Sequence, residues 1–178
     1  MEQIKRLLLA VLLLGAAHCT TAAESNPLDA DSSEAALERQ LDEERLAYQL
    51  YTALGELYPQ SRPFQNIPKS EARHFDALKR YIEQHHPKAK AIELTGDFIF
   101  LETQDLYDQL YAKGQQNLAA AMEVGAAVER LDINDLDQAL AITEDEQLKA
   151  IYQRLRTGSE HHLAAFSRQK AGGRQSGR

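Results

Sequence analysis

Long stretches of helical periodicity, separated by a few proline-containing breaks, limit the fold classes open to this chain. In residues 33–57, apolar side chains recur at intervals of three and four, which is the spacing of one face of an α-helix. Pro59 and Pro63 interrupt the pattern, and a second helical stretch ends before Pro87. Because the 178 residues include only five prolines and nine glycines, the sequence predicts an all-α protein.

The lengths of the connections predict how the helices are arranged. Long helices are expected over 33–57, 66–86 and 117–140, and from the capping motif Thr143-x-x-Glu146 to about residue 168, with Asn66 as the cap of the second. The first pair and the last pair have short loops, whereas about thirty residues separate the second helix from the third. This crossover contains a predicted short helix over 103–113, ended by Gly114. Two hairpins joined by one long crossover are the connectivity of a ferritin-like four-helix bundle.

The N-terminal residues 1–23 are interpreted as a signal peptide. Lys5 and Arg6 precede an apolar run that is too short to span a bilayer comfortably, and cleavage after Ala23 fits the small residues there. An uncleaved anchor or a buried helix is the less favoured alternative, and His18 disfavours a lipoprotein attached through Cys19. The sequence therefore predicts export to the periplasm or secretion, with a linker over 24–32, a helical bundle over 33–168 and a flexible tail over 169–178.

Charge and cysteine content exclude several partners and cofactors. The formal net charge is −7, so the chain lacks the excess of positive charge that is typical of proteins that bind nucleic acid or an anionic membrane. Cys19 is the one cysteine and lies in the predicted signal peptide, so the mature chain can form no disulfide, iron–sulfur cluster or thiolate zinc site. We expect no membrane association once the signal is removed, and a homo-oligomer is left open.

Glu71 and His74 form the sequence feature that most directly suggests a function. They are three residues apart, so they share one face of the second helix with the apolar Phe75 and Leu78. A Glu-x-x-His pair that faces a bundle interior is half of a carboxylate-bridged two-metal site. The other long helices carry further candidate ligands, namely Glu43, Glu44, Glu129, Asp132, Glu160, His161 and His162.

Helical faces favour particular residues among these neighbours. Glu44 shares a face with Tyr51, whose hydroxyl could bind a ligand one layer away, so Glu44 is preferred to Glu43 although both are arguable. His162 shares a face with apolar residues, whereas His161 does not. Hard or borderline cations such as iron and manganese bind carboxylate and imidazole, and a pair of ions needs carboxylates from several helices.

The predicted first loop conflicts with this pairing of ligands. Facing residues of an antiparallel pair should be equally far from the turn. Glu129 and His162 have their midpoint at 145–146, close to the predicted turn, but Glu44 and Glu71 have theirs at 57–58, before the predicted loop over 59–65. Either the first helix ends earlier, at Gly55, or the loop runs back along the bundle.

Several segments together resemble a known family. They are residues 43–47 with Tyr51, 70–77, 124–129, 132–136 and 158–166. In order and spacing over residues 35–168 they resemble the ferritin-like family called domain of unknown function 2202. The resemblance implies a ferritin-like bundle with a di-iron-type site and no agreed reaction. It implies that the ligands are Glu44, Glu71, His74, Glu129 and His162, with Asp132 as a further candidate.

Ser159 departs from the better-known di-iron bundles, which carry a second Glu-x-x-His on the last helix. It stands three residues before His162, so a full six-ligand site requires Asp132 to replace the missing carboxylate. Rubrerythrins, which are similar in fold, often add a cysteine-rich electron-transfer domain. A mature chain without cysteine would need a separate electron donor.

The sequence therefore predicts an exported metalloprotein with a di-iron or di-manganese carboxylate site that acts on dioxygen or peroxide, as an oxidoreductase or peroxidase. Its ligands would be Glu44, Glu71, His74, Glu129, Asp132 and His162, with Tyr51 beside them. Two alternatives stay open. One is a metal-binding or storage module without turnover, and the other is a helical interaction domain without metal.

Overall fold

The computed structural model describes residues 27–86 and 92–172, with side chains for 34–86 and 92–168. Within these residues the protein is all-helical, with six helices and no strand. The helices are α1 (Pro27–Leu57), α2 (Arg62–Asn66), α3 (Pro68–His85), α4 (Leu101–Gly114), α5 (Leu118–Ile142) and α6 (Glu146–Gly172). The predicted signal peptide and the last residues of the predicted tail, 173–178, lie outside the described residues. Among the helices described, none combines the length and the apolar character needed to cross a bilayer.

The all-α prediction is confirmed, and the ends of the helices differ from those predicted. Helix α1 begins at Pro27, so residues 27–32 of the predicted linker are helical. Proline is well suited to the first turn of a helix, and no other proline follows before Pro59. Helix α6 continues through Gly172, so the first residues of the predicted tail are helical as well. The predicted crossover helix is α4, and it begins two residues earlier than expected.

Two predicted caps are wrong because other groups satisfy the backbone. Asp145 caps α6, since its Oδ1 accepts a hydrogen bond of 2.7 Å from the N–H of Leu148. The Thr143 hydroxyl instead donates to the Ala139 carbonyl at 2.7 Å. Helix α3 is preceded by Ile67, which is itself in a helical conformation (φ −63°, ψ −39°), so Asn66 does not cap it.

The four long helices enclose a common interior. Helix α1 packs along α3 and α5 packs along α6, while further contacts join α3 to α6 and α1 to α5. The crossover helix α4 lies against α1 and α5. Two separate clusters of buried apolar side chains fill the interior. On α1, Glu44 lies between Leu41 of one cluster and Leu46 of the other, and α5 and α6 show the same order, so a polar layer separates the clusters.

Helix α2 decides the level at which α1 and α3 face each other. Helix α1 continues past Gly55 to Leu57, and α2 then packs against its end. A Cβ at Gly55 would lie only 3.0 Å from the carbonyl oxygen of Phe64, and Gln65 Nε2 donates to the Gly55 carbonyl at 3.0 Å. The connection therefore runs back along the bundle, the second of the two arrangements considered above. Glu71, in the first turn of α3, consequently reaches the level of Glu44.

Candidate metal centre

Side chains from all four long helices meet in the polar layer. They form two groups in which one ligand atom from each residue lies within 4.8 Å of the others. The first triad is Glu44, Glu71 and His74, and the second triad is Glu71, Glu129 and His162. Three carboxylates and two imidazoles from four helices thus converge, and Glu71 belongs to both triads.

Glu71 turns one carboxylate oxygen toward each triad. Its Oε2 lies 3.1 Å from Nδ1 of His74, and its Oε1 lies 2.8 Å from Nδ1 of His162. The two imidazole rings lie on either side, with centroids 5.6 Å apart and planes inclined by 24°. A carboxylate held between two nitrogen donors in this way has the arrangement of a bridging ligand in a two-metal site.

The other two carboxylates close the triads from α1 and α5. Glu44 Oε2 lies 3.3 Å from Nδ1 of His74, and Glu129 Oε2 lies 3.5 Å from Nδ1 of His162. Glu44, Glu71 and Glu129 are each only 2% exposed. Three carboxylates at this depth are costly unless they are protonated, paired with positive charge or bound to a cation.

Several polar atoms of the triads come close together without forming hydrogen bonds. Glu44 Oε1, Glu71 Oε1, His74 Nδ1 and His162 Nδ1 are buried and have no hydrogen-bond partner. Contacts of about 3 Å without suitable donor angles mean that these atoms point into shared space rather than at one another. Each unpartnered buried group costs about 1–3 kcal/mol. Divalent cations placed among these atoms would satisfy them, so the residues fit a metal pair.

The two imidazoles hold their protons far more tightly than a free histidine does. Burial acts to lower the pKa of His74, but the carboxylates of Glu44 and Glu71 outweigh it and raise the pKa to about 11. Burial likewise acts to lower the pKa of His162, and Glu129 and Glu71 raise it to about 10. In the metal-free protein, two imidazolium groups therefore provide the positive charge that metal ions would bring.

The three carboxylates differ in their affinity for protons. Burial raises the pKa of Glu44 to about 7 and that of Glu129 to about 8, with a further increase from Glu71 in each case. Burial also acts to raise the pKa of Glu71, but its contacts with His162 and His74 lower the pKa to about 2. Glu71 is therefore the carboxylate of the cluster that most readily loses its proton.

Comparison with known proteins places the chain in a family. A family model described as "Uncharacterized protein domain (DUF2202)" matches residues 37–175. This chain is a DUF2202 protein.

The relatives of this DUF2202 protein support the fold. An uncharacterized protein of Methanocaldococcus jannaschii is 34% identical over 143 residues, which are 80% of this chain and 76% of that protein. The crystal structure of this same protein, described there as a hypothetical protein from Methanococcus jannaschii, is similar, with a TM-score of 0.75 and 29% identity over 88% of this chain and 86% of that one. Both names leave the activity open, so the chemistry has to be argued from the triads.

Tyr51 supports the second triad from the side of one apolar cluster. It is fully buried, and its hydroxyl donates to Glu129 Oε1 at 2.7 Å. The Tyr51 hydroxyl oxygen also lies 3.3 Å from the carbonyl oxygen of Gly125. Burial and the nearby Glu129 raise the pKa of Tyr51 well above its usual value, so the phenol keeps its proton. Tyr51 therefore holds one oxygen of Glu129 and leaves the other facing His162.

Two glycines make room for the site, and one of them, Gly125, lies in a stretch of small residues whose sequence indicates close approach of a neighbouring helix. A Cβ at Gly158 would lie 2.6 Å from both Cε1 and Nε2 of His74. A Cβ at Gly125 would lie 2.5–2.7 Å from the ring of Phe166, whose centroid is 5.1 Å from that of Tyr51. Glycine has a low helix propensity, so a glycine inside a predicted helix indicates that a side chain would not fit at that position.

Asp132 lies beside the triads but belongs to neither. Its Oδ1 accepts a 3.0 Å hydrogen bond from Gln40 Nε2, and its Oδ2 accepts one from the Ser159 hydroxyl. Ser159 thus occupies the position of the missing second Glu and binds the carboxylate that was expected to replace it. Of the other candidates, Glu43 is half-buried, whereas Glu160 and His161 are exposed.

Asp42 and Arg45 form a buried ion pair that the sequence did not reveal. Their side chains are 0% and 3% exposed, and Arg45 NH1 lies 2.8 Å from Asp42 Oδ1. The Asp42 carboxylate also accepts the N–H groups of Ile99 and Phe100, and Arg45 donates to the Asp97 carbonyl at 2.7 Å. The pair fixes the crossover to α1. Opposite charges three residues apart are equally typical of an exposed helix face, so spacing alone could not place them inside.

Proposed function

We propose that this DUF2202 protein is an exported, ferritin-like metalloprotein whose two triads bind a pair of iron or manganese ions that react with dioxygen or peroxide. The observation that carries the proposal is the position of Glu71, whose two oxygens lie 3.1 and 2.8 Å from the nitrogens of two different histidines. An interaction domain without metal has no need for this arrangement, and it would leave these acids in water. Instead Glu71 is 2% exposed.

The order of the helices supports a ferritin-like bundle. Helices α1 and α3 pair through the compact α2 turn, α5 and α6 pair across 143–145, and the long crossover that carries α4 joins the pairs. Ligands projecting inward from all four long helices are characteristic of the di-iron and di-manganese carboxylate proteins of this architecture.

The donor set favours iron or manganese over softer metals. Carboxylate oxygen and imidazole nitrogen suit both ions, and neither triad contains a thiolate. When bound, such a pair would supply Lewis acidity and electrons for the reduction of dioxygen or peroxide. Five protein donors would hold two ions, which leaves coordination positions for a small oxidant.

The chain's own residues would prepare this chemistry. Glu71 would hold both ions, Glu44 and Glu129 would each hold one, and Tyr51 keeps Glu129 oriented through the hydrogen bond that it donates at 2.7 Å. The apolar clusters on both sides of the polar layer exclude bulk water, which strengthens every charge interaction inside. Electrons would come from a separate donor protein in the periplasm or outside the cell.

Metal stoichiometry of the mature chain tests the proposal. We expect two Fe²⁺ or Mn²⁺ ions per wild-type chain after anaerobic loading, and loss of this binding in Glu71→Gln, which keeps the shape of the side chain and removes its charge. The matched control is Glu83→Gln, because Glu83 is exposed on the same helix and also stands three residues before a histidine. A wild-type protein that binds no metal, or a Glu71→Gln variant that binds as the wild type does, would contradict the proposal.

An assay of the loaded protein separates turnover from storage. If the protein is an oxidoreductase, the loaded protein removes peroxide faster than the same concentration of free iron does. If it only binds or stores metal, the two rates are equal, and the alternative of a module without turnover holds.

A further inference from the structure

The two histidines bring the triads closest to the surface on one side of the bundle. The side chains of His74 and His162 are 12% and 10% exposed, whereas the carboxylate side chains of the triads are at most 3% exposed. His74 lies on α3 and His162 on α6, and these two helices pack against each other. The triads therefore approach solvent along the line where α3 meets α6, which we call the seam.

Gly158 makes the wall of the bundle thin at the seam. It lies on α6, and a Cβ there would come within 2.6 Å of Nε2 of His74. The other ring nitrogen, Nδ1, is the one that faces Glu44 and Glu71 in the first triad. The imidazole of His74 thus reaches from the triad to α6 at the seam. Because electron transfer slows steeply with distance, this is the side on which an electron donor has the shortest path to the triads.

Basic side chains border the seam on α6. Arg154 and His161 stand four residues before and three residues after Gly158, so they share its side of the helix. Both side chains are exposed. Glu160, the carboxylate next to His161, pairs with Arg156, which also pairs with a carboxylate of α5. Glu160 therefore belongs to the other side of α6 and leaves this border basic.

The α3 border of the seam is basic as well. Ala77 follows His74 by one turn, and Arg73 and Arg80 stand four residues before and three residues after Ala77. Both arginines are exposed. Asp76, the exposed carboxylate between them, lies two residues after His74 and so points away from the seam. We call the basic side chains of the two borders, which are Arg73, Arg80, Arg154 and His161, the basic rim.

The arginines of the basic rim form no ion pair with any residue that the structure describes. The ion pairs of the Lys and Arg side chains in residues 34–86 and 92–168 involve other cations. The rim therefore presents positive charge on a chain whose formal net charge is −7. A surface with unpaired charge attracts a partner of the opposite sign and accelerates its association.

We propose that the seam and its basic rim are the docking surface of an acidic electron-transfer protein, which delivers electrons to the triads through His74. Each docking event passes one electron from the reduced donor to the oxidised metal pair, and no atom or group is transferred. Electron-transfer complexes have small, weak interfaces in which charge steers the partners, and a few unpaired arginines suit this role. The surface can be tested in the metal-free protein, whereas electron delivery rests on the proposed function.

Binding of flavodoxin, a small acidic flavoprotein, to the metal-free mature chain tests the docking surface. We expect NMR titration to show binding at low ionic strength and weaker binding as salt is added, because salt screens the attraction. Arg73→Glu and Arg154→Glu, on different helices, should each weaken binding at least about tenfold, since repulsion replaces attraction. Arg130→Glu, at an exposed arginine of α5, is the matched control and should bind flavodoxin as the wild type does.

Stopped-flow reduction of the oxidised, metal-loaded chain tests electron delivery. Reduced flavodoxin should reduce the wild type at least about tenfold faster than it reduces Arg73→Glu or Arg154→Glu. Each rate is divided by the rate with hydroquinone, an uncharged reductant, so that a change in the metal pair itself is not mistaken for a loss of docking. Equal normalised rates in the wild type and both variants would refute electron delivery through the seam.

The outcomes separate this inference from the proposed function. If flavodoxin does not bind, binds more tightly as salt is added, or binds both variants as it binds the wild type, the docking surface is refuted even where the chain holds two metal ions. If flavodoxin binds as expected and the chain binds no metal, the surface holds and the proposed function is refuted. If ultracentrifugation shows that copies of the chain associate and that Arg73→Glu separates them, the seam joins two copies of this chain and the inference is overturned.

Discussion

The imidazole of His74 lies against Gly158, so closely that a Cβ on the glycine would come within 2.6 Å of the ring. The candidate ligand His74 on α3 is thus positioned by the absence of a side chain at Gly158 on α6. This contact joins the two helix pairs of the bundle at the level of the first triad.

Gly158→Ala should therefore disturb the first triad. Alanine gains about 1 kcal/mol in helix propensity, but overpacking against a buried ring costs about 1–3 kcal/mol, so we expect a small net loss of stability. Displacement of His74 should weaken metal binding by about 10–100-fold, as loss of an orienting contact does in other metal sites. Urea unfolding and Mn²⁺ titration measure the two effects. Thr157→Ala, at an exposed neighbour, should leave metal affinity unchanged.

Tyr51→Phe tests whether the Tyr51 hydroxyl orients Glu129 for metal binding, in addition to stabilising the fold. The change leaves Glu129 Oε1 buried without its 2.7 Å hydrogen bond, at a cost of about 1–3 kcal/mol, and frees Glu129 to turn away from the second triad. We expect metal affinity to fall by about 10–100-fold.

Tyr58→Phe is the matched control for Tyr51. It removes a hydrogen bond of 2.8 Å to the Gly114 carbonyl at the end of the bundle. Calorimetry should show that Tyr58→Phe lowers stability without changing metal affinity. Equal losses of metal affinity in the two variants would contradict the role given to Tyr51.

The metal-free protein should become less stable as the pH rises from about 6 to about 9. Folding raises the pKa of Glu44 and Glu129 from 4.5 to about 7 and 8, and that of His74 and His162 from 6.5 to about 11 and 10. The folded state therefore binds more protons than the unfolded state over this range. The carboxyl contribution is complete below pH 4.5 and is lost as the pH rises through about 7–8. The imidazole contribution is complete below pH 6.5 and is lost only through about 10–11.

Bound metal should reverse this dependence. The ligands must release their protons to bind a cation, so metal affinity rises with pH. Thermal unfolding at about pH 6 and about pH 9, with and without Mn²⁺, measures both trends. Glu71 has the opposite dependence, because its pKa is lowered to about 2: the stability that it contributes is complete above pH 4.5 and is lost as the pH falls through about 2. A metal-free protein that gains stability between these two pH values would refute the prediction.

Asp42→Asn should destabilise the fold without changing the triads directly. Arg45 would keep its charge at 3% exposure without an anionic partner, and breaking a buried pair in this way costs about 3–5 kcal/mol. Chemical denaturation should show this loss. Asp137→Asn breaks the solvent-exposed pair with Arg156, for which the expected loss of stability is much smaller because water screens the charges. The two costs would be similar if Asp42 were not a structural anchor for the crossover.

Local patterns predicted the helices well, because periodicity and breakers act over a few residues. The spacing of Glu71 and His74 placed both on one face, and the structure brings both into the first triad. The caps were less predictable. Thr143 and Asp145 both suit the start of a helix, and only the path of the backbone decides which of them receives the N–H group.

The sequence by itself determined an all-helical chain with carboxylates on all four long helices and imidazoles on two of them, because residue types and their spacing set which side chains share a face. Only the tertiary structure decided that Glu44 and Glu71 lie at one level, since that depends on α2 folding back against α1. Tertiary structure also decided that Asp132 turns to Gln40 and Ser159. Such choices depend on contacts between residues far apart in the chain, and no local pattern records them.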